Sequence, residues 1–226
     1  MDNCKDNLII EGSGNSAGGK FKTVKIKGNG TIDGDIACDD MKVEGECTIY
    51  GNLKAENVKI KGSSTVKGSF QATDIDIQGS TDFGNDVTAG DITAKGQINI
   101  NGNFNAEKFC MEGAFKIRGL LNAGELELKL HGPSEAREIG GEKITVKREA
   151  RFIFKRIEKL ITPYGFNTCL ITDVIEGDEI YLEYTKAKII RGNNVELGPG
   201  CEIGLIEYKD SYKQDEKAVV NNYKKM

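Results

Sequence analysis

Apolar and polar residues alternate along residues 24–125 in a 17-residue unit that occurs six times without insertion or deletion. Glycine occupies the fifth position of every unit. These glycines are Gly28, Gly45, Gly62, Gly79, Gly96 and Gly113. A fixed period of this kind predicts a solenoid, in which each unit buries its apolar side by stacking on its neighbours.

Several positions of the unit are apolar in every copy and predict the side chains that face inward. The first and third positions alternate with polar residues, which is the period of a half-buried strand. The ninth and thirteenth positions are apolar as well. The fifteenth is Cys38 in one copy and alanine in the other five, so we expect tight packing where the chain turns. The first position reads Val24, Met41, Val58, Ile75, Ile92 and Phe109.

A second set of glycines lies near the eleventh position and predicts further corners, because glycine adopts positive φ without steric cost. These are Gly34, Gly51, Gly68, Gly84, Gly102 and Gly119. Three short strands separated by bends predict a triangular coil, and equal coil lengths let each strand pair in parallel with the strand one turn away. The predicted fold is an all-β parallel β-helix that rises about 4.8 Å per coil. Aliphatic side chains fill its interior and leave no room for a substrate.

The repeat divides the chain into segments. Residues 1–7 form a polar tail, and residues 8–23 form a degenerate opening coil ahead of the six strict coils, so that the regular β-helix covers residues 8–131. The pattern breaks at Gly132-Pro133-Ser134, and we predict a loop or insertion over residues 132–169. Alternation with glycine bends returns over residues 170–208, which predicts further coils. Residues 209–226 are expected to be a charged tail, mobile or helical.

Composition excludes some functions. The 226 residues carry a formal charge of -4 with both signs interspersed, which gives no electrostatic case for a nucleic-acid partner. There is no apolar stretch long enough to cross a bilayer and no N-terminal charged-then-apolar segment, so we expect neither a membrane span nor a secretory signal. The expected location is the cytoplasm.

Candidate catalytic groups are few. His131 is the single histidine, no metal, nucleophile-elbow or phosphate-loop motif accompanies it, and we interpret it as a structural or surface residue. The six cysteines include no pair at zinc-binding spacing. Cys38 and Cys47 occupy inward positions, so we expect reduced thiols that behave as small apolar residues. We expect no enzyme activity, catalytic residue, metal, cofactor or nucleotide.

An enzymatic alternative rests on residues 195–204, where Leu197 and Ile203 stand six residues apart, as in a hexapeptide acyltransferase. A left-handed hexapeptide coil needs that spacing throughout, and the 17-residue unit does not supply it. The catalytic histidine would have to be His131.

The two ends of the stack carry the stronger functional prediction. A parallel β-helix ends in strands whose backbone groups lack partners and whose apolar interior is open, and such edges are templates for pairing. Contacts between unlike ends of collinear rods do not close a ring and propagate filaments. The expected partner is a second copy of the chain. The candidate polymerisation contacts are Leu8, Ile10 and Phe21 at the opening end and Ile203, Leu205 and Ile206 at the closing end.

A third alternative is a membrane-surface adaptor. Basic and aromatic residues interleave over residues 147–161, which favours contact with anionic lipid. An ordinary insertion that packs Phe152, Phe154 and Leu160 on the rod is the competing interpretation. The candidate membrane or partner contacts are Arg151, Phe152, Phe154, Lys155, Arg156 and Lys159.

The units Val24-Lys-Ile-Lys-Gly28, Met41-Lys-Val-Glu-Gly45 and Val58-Lys-Ile-Lys-Gly62 resemble those of the bactofilins, bacterial polymer-forming cytoskeletal proteins. The later segments 138–144, 176–184 and 198–204 resemble a longer Firmicute branch of that family. The resemblance implies a right-handed β-helix and nucleotide-independent, non-polar filaments that scaffold cell-shape, division or motility machinery. Non-polar filaments join like ends, whereas head-to-tail stacking of solenoids joins unlike ends, and both arrangements remain open at this point.

Overall fold

The computed structural model describes residues 6–148 and 168–226, and the regular structure of these residues is all β-strand. Ten strands form one sheet in the order of the sequence, and each pairs in parallel with the next. The first five are β1 (Leu8–Ile49), β2 (Leu53–Val66), β3 (Phe70–Phe83), β4 (Val87–Ile100) and β5 (Phe104–Leu130). The others are β6 (Ser134–Arg148), β7 (Leu170–Leu182), β8 (Thr185–Leu197), β9 (Glu202–Gln214) and β10 (Val219–Lys225).

The strands pair in the register that the repeat predicts. Met41 pairs with Val58 and Val58 with Ile75, so equivalent positions of successive units lie one above another. We call each such set of equivalent residues a column. The predicted parallel β-helix and its 17-residue repeat are confirmed.

Inward columns of apolar side chains form one continuous core along the rod. Phe70 and Phe83 meet there with their ring centroids 4.9 Å apart, and Phe104 and Phe109 with theirs 4.7 Å apart. The structure adds an inward column at the seventh position of the unit, of which the sequence identified only Cys47 as inward-facing. Its members are Gly30, Cys47, Ser64, Thr81, Ile98 and Phe115. The column was missed because it mixes glycine, polar and apolar residues.

The two sets of glycines are required for different structural reasons. The fifth-position glycines have positive φ, as predicted, with +125° at Gly62. In the second set only Gly34 has positive φ, so the expectation of positive φ at the other corners is wrong. A Cβ at Gly51 would lie 2.3 Å from the backbone carbon of Gly34. Close approach of the coil below, and not the backbone angle, therefore excludes a side chain at Gly51.

The interruption of the rod begins later than the sequence predicts. Residues 134–148, expected to belong to a loop, form β6 and pair with β5 on one side and β7 on the other. Ile139 and Ile144 supply inward side chains that are almost fully buried. The strict period misses this coil because the register between β5 and β6 shifts between Ile117 and Leu120. The β-helix then continues through β7 and β8, and β6 joins these later coils to the first six.

Residues 209–226 also differ from the expected charged tail. Residues 209–214 complete β9, and β10 adds a further strand over residues 219–225. Val220 pairs with Ile203 and Tyr223 with Ile206, so the inward columns continue to this end. Charged residues between these few apolar positions gave the segment the composition of a solvated tail.

Candidate assembly surfaces

The amino-terminal end of the rod is the outer edge of residues 8–23, which we call the first coil. Ile10 is 7% exposed, and Leu8 and Phe21 are partly buried against the core. These three predicted contact residues therefore lie together at one end of the interior. Their outward-facing neighbour Ile9 is exposed. Lys22 closes the coil, because its backbone N–H donates to the carbonyl oxygen of Asp6 at 3.2 Å.

Small residues dominate the first coil. Four of its residues are glycine: Gly12, Gly14, Gly18 and Gly19. A Cβ at Gly14 would lie 3.2 Å from the side chain of Ile10, and one at Gly19 would lie 3.3 Å from the ring of Phe21. Ile10 and Phe21 therefore lie across positions that have no side chain. At this end of the rod, a few apolar side chains stand among residues that have no side chain.

The predicted contacts at the other end lie one strand below the surface. Ile203 and Ile206 are 2% and 0% exposed, and Leu205 is partly buried. All three belong to β9, and β10 pairs over them. The side chains that reach the end surface belong to other residues.

The side chains that reach the surface at this end belong to Tyr212, Val220 and Tyr223, which we call the tyrosine end. Each stands in an inward column, because Tyr212 pairs with Val195, Val220 with Ile203, and Tyr223 with Ile206. The ring centroids of Tyr212 and Tyr223 are 5.3 Å apart, and that of Tyr208 is 5.6 Å from Tyr212. Tyr223 is 59% exposed, although Ile206 directly beneath it is fully buried. Bulky aromatic groups thus cover this end of the interior.

An ion-pair network fastens β10 to the rod. The Glu207 carboxylate lies 2.8 Å from Lys224 Nζ on β10 and 2.6 Å from Arg191 Nε on β8. Hydrogen bonds from Lys224 and Arg191 hold the pKa of Glu207 below its usual value. One carboxylate therefore connects three successive strands at the tyrosine end.

Sequence reasoning missed the tyrosine end because it counted complete units. The available signal was the spacing of three apolar side chains. Val220 and Tyr223 each follow their partners Ile203 and Ile206 by one full repeat of the early coils, and Tyr212 follows Val195 by the same interval. The period therefore continues through the charged segment.

The sides of the rod satisfy much of their charge internally. Lysines and acids that occupy equivalent positions in adjacent coils form ion pairs, which contribute little to stability at an exposed surface. Such pairs include Lys59–Asp76 at 3.1 Å, Lys95–Glu112 at 3.1 Å and Lys108–Glu125 at 2.9 Å. This pairing within one rod supports a solvated side face.

The predicted membrane or partner contacts lie outside the described residues. They are Arg151, Phe152, Phe154, Lys155, Arg156 and Lys159. The flanks of residues 149–167 meet at the turn between β7 and β8. The Arg148 guanidinium lies 4.5 Å from the ring centroid of Tyr184, and the Leu170 N–H donates to the Tyr184 carbonyl oxygen at 3.0 Å. These contacts fix where the chain leaves the rod and where it returns.

The residues considered for chemistry occupy structural positions. Cys38 and Cys47 lie in the core as predicted, and burial raises the pKa of the Cys47 thiol to about 12. Cys47, Cys110, Cys169 and Cys201 are free thiols. The His131 side chain is 14% exposed, and its Nε2 lies 3.6 Å from Glu112 Oε1. Across residues 6–148 and 168–226, no helix is long and apolar enough to cross a membrane.

Comparison with known proteins gives one family. Residues 3–87 match the family model described as Bactofilin, polymer-forming cytoskeletal. The uncharacterized protein YhbF of Bacillus subtilis (strain 168) is 49% identical over 88 residues, which cover 38% of this chain and 33% of that protein. The uncharacterized protein YhbE of the same organism is 38% identical over 96 residues, or 42% of this chain and 38% of that protein. The matches thus span well under half of each relative. No solved structure matches the chain.

Proposed function

We propose that this chain, whose residues 3–87 belong to the bactofilin family, is a self-assembling scaffold that forms filaments by end-on association of β-helix rods. The filaments would need no nucleotide and would organise cell-shape, division or motility machinery. The polymer-forming family and the β-solenoid fold together support a cytoskeletal role. What we propose beyond that role is that the filaments grow by end-on contact and that they organise one of these cellular processes.

One observation supports end-on contact between rods. The inward columns of side chains reach the surface at both ends of the rod. Leu8 and Ile10 lie at one end and Tyr212 and Tyr223 at the other, with no strand of the described residues beside either outer edge. A strand edge offers unpaired N–H and C=O groups, and apolar side chains beside it favour burial against another surface. A second copy of the rod supplies both kinds of partner.

This role does not require a catalytic step. The family that matches is described as cytoskeletal, and no specific observation favours the acyltransferase alternative. His131 rests against Glu112 on the same rod. The proposed partner is the chain itself, with no nucleotide, cofactor or nucleic acid.

A peripheral membrane contact is a compatible part of the proposal, with the cytoplasm as the location. Ile144 pairs with Ile180 where Val58 pairs with Ile75, so the coil that contains residues 149–167 is roughly twice as long as an early coil. The extra chain carries the basic and aromatic residues of the predicted contact. Co-sedimentation with vesicles of anionic lipid should retain the intact protein and lose it when residues 149–167 are deleted. Equal sedimentation of both proteins would remove this segment from the proposal.

Assembly is tested on the purified intact chain without nucleotide. Ultracentrifugation across protein and salt concentrations should pellet the protein, and negative-stain micrographs of the pellet should show filaments. Monomers under all of these conditions would contradict the proposed function.

A further inference from the structure

We infer that Asn101 is a site of covalent modification, at which the folded rod converts an asparagine to aspartate and isoaspartate without an enzyme. The chain contains two Asn-Gly sequences, Asn29-Gly30 and Asn101-Gly102. In such a sequence the backbone nitrogen of glycine can attack the asparagine side chain, because glycine has no Cβ to hinder the approach. The fold leaves one of these sequences open to the reaction and protects the other. This inference concerns the side of the rod and does not depend on how rods assemble.

The reaction needs only the chain and water. The Gly102 nitrogen forms a bond to Cγ of Asn101, and the amide nitrogen of Asn101 leaves as ammonia with the proton of the Gly102 N–H. A five-membered succinimide ring remains. Water then opens this ring at either of its two carbonyl carbons. One opening gives aspartate, and the other gives isoaspartate, in which the main chain runs through the side-chain carbon.

Asn101 and Gly102 lie in the bend between β4 and β5, outside both strands. The Asn101 side chain is exposed and makes no hydrogen bond within the residues described. At the same corner of other coils, the Gly68 N–H donates to the Gly51 carbonyl oxygen at 3.1 Å, and the Gly119 N–H donates one coil down at 3.1 Å. The Gly102 N–H has no such acceptor in the described part of the chain. The attacking nitrogen and the amide it attacks are therefore both unbonded at this corner.

The coil below explains why Gly102 differs from the other corner glycines. The fourth unit places its glycine one residue early, as Gly84, so that Asn85 and Asp86 lie beneath Gly102. A Cβ at Gly102 would lie 2.8 Å from the Asn85 backbone carbon and 2.7 Å from the Asp86 nitrogen. A backbone C–N bond, and not a carbonyl oxygen, thus faces Gly102. The displaced glycine therefore leaves the Gly102 N–H without an acceptor.

Asn29-Gly30 has the same sequence but lies inside β1. Gly30 is buried, and a Cβ there would lie 2.8 Å from the side chain of Ile26. The residues at this position in the next two coils, Cys47 and Ser64, pair in the parallel ladder, which engages backbone N–H groups in hydrogen bonds. Attack by the Gly30 nitrogen thus requires β1 to open. Because local opening of a paired strand is rare, we expect conversion here to be at least about tenfold slower than at the corner.

Conversion changes both the charge and the backbone of one corner. Asn101 and Arg118 each follow a residue of the pair Ile100 and Ile117, so they occupy equivalent positions of adjacent coils. A carboxylate at this position stands one coil from the arginine, and isoaspartate also adds a carbon to the main chain at the bend. The modification therefore alters the side of the rod, while both ends keep their chemistry.

Incubation of the intact chain at mildly alkaline pH tests the inference, with chain unfolded in guanidinium chloride as the reference. Tryptic peptides 28–42 and 96–108 report the two asparagines separately. Mass spectrometry detects the change from amide to acid, and fragment spectra identify the residue within each peptide. Asn101→Gln is the matched variant, because a glutamine side chain cannot close the five-membered ring.

In the folded chain, peptide 96–108 should carry the change at Asn101 while Asn29 stays intact, and the unfolded chain should convert at both. Asn101→Gln should abolish the change in its peptide. An intact Asn101 in the folded chain, or equal conversion of the two asparagines there, would overturn the inference. Persistence of the change in Asn101→Gln would assign it to another residue and overturn it as well.

The unfolded reference shows whether the fold makes the difference. If the unfolded chain converts at only one of the two asparagines, or at neither, the selectivity does not come from the fold and the inference is wrong. Every result is measured on peptides. Filaments or monomers in the incubated sample therefore bear on the proposed function and not on this inference.

Discussion

The glycine column at the fifth position sets the separation of the coils: a Cβ on Gly62 would lie 2.2 Å from the carbonyl oxygen of Gly45, one coil below. Real Cβ contacts of that length do not occur, so the backbone of one coil rests directly on the backbone of the next. Gly62 also has φ of +125°, a region that other residues rarely adopt. The glycines are thus required by both the backbone angle and the stacking.

Gly62→Ala should therefore destabilise the fold more than Gly34→Ala. Gly34 has a similar φ of +115°, but the nearest atom to its added Cβ would be 3.7 Å away. We expect Gly34→Ala to lose about 1 to 3 kcal/mol through backbone strain alone. Gly62→Ala should lose more because neighbouring coils must also separate. Urea denaturation followed by circular dichroism measures both, and equal losses would contradict a role for the close approach.

Two buried threonines should respond in opposite ways to replacement by valine. The Thr81 hydroxyl is fully buried and has no hydrogen-bond partner among the residues that the structure describes, whereas the equally buried Thr185 hydroxyl donates to the Glu183 carbonyl oxygen at 3.0 Å. Thr81→Val should raise the free energy of unfolding by about 1 kcal/mol, since an unpaired buried hydroxyl costs at least that much. Thr185→Val should lower it by about 1 kcal/mol. A loss of stability in Thr81→Val would contradict the conclusion that the buried Thr81 hydroxyl is unpaired.

A ladder of side-chain hydrogen bonds holds one corner of the early coils. Asn52 Oδ1 accepts the Ser69 N–H at 2.8 Å, and the Asn52 N–H donates to Asp35 Oδ1 at 2.7 Å. Asn52→Ala should cost about 0.5 to 1.5 kcal/mol of stability, because the Ser69 N–H loses its partner within the rod. Asn105→Ala is the control, since the Asn105 side chain makes no such bond in the described part of the chain. Urea denaturation followed by circular dichroism measures both variants. Equal free energies of unfolding for Asn52→Ala and Asn105→Ala would show that the ladder of hydrogen bonds does not stabilise the fold.

Stability at the tyrosine end should depend on the charge of Glu207. Its pKa is lowered in the fold by Lys224 and Arg191, so its contribution is complete above the ordinary carboxyl value of 4.5. That contribution is lost as pH falls through the lower folded value. Glu207→Gln should therefore be less stable than wild type near neutral pH, and the difference should shrink in acid.

Glu216→Gln provides the comparison for this pH series, because Glu216 makes no ion pair within the residues described. Its unfolding free energy should follow that of the wild type at every pH. If Glu207→Gln differs from the wild type by the same amount throughout, the carboxylate does not stabilise the end by its charge.

The first six coils could be predicted from sequence because their 17-residue units are uninterrupted. Residues such as Val58 and Ile75 then specify both the inward face and the register. β6 was missed because Lys116 pairs with Glu135 whereas Leu120 pairs with Glu138, so the offset between β5 and β6 shortens by one residue partway along the strand. A strict period cannot follow such a shift, although the apolar side chains of β6 remain inward.

The residues chosen from the sequence lie at the end surface in the first coil, but at the other end they lie one strand below it. Leu8, Ile10 and Phe21 stand at the first coil as expected. At the other end, Val220 and Tyr223 continue the columns of the predicted contacts and cover them. Two apolar residues among charged neighbours do not distinguish a last strand from a solvated tail by composition. The pairing of that strand with β9 was needed to place it.

Fibre diffraction from oriented filaments tests the central claim most directly. Strands in this fold run across the rod, so the spacing of about 4.8 Å between coils lies along the rod axis. End-on assembly predicts a strong reflection at this spacing on the meridian, parallel to the filament axis. The same reflection on the equator would show rods lying across the filament and would contradict the account.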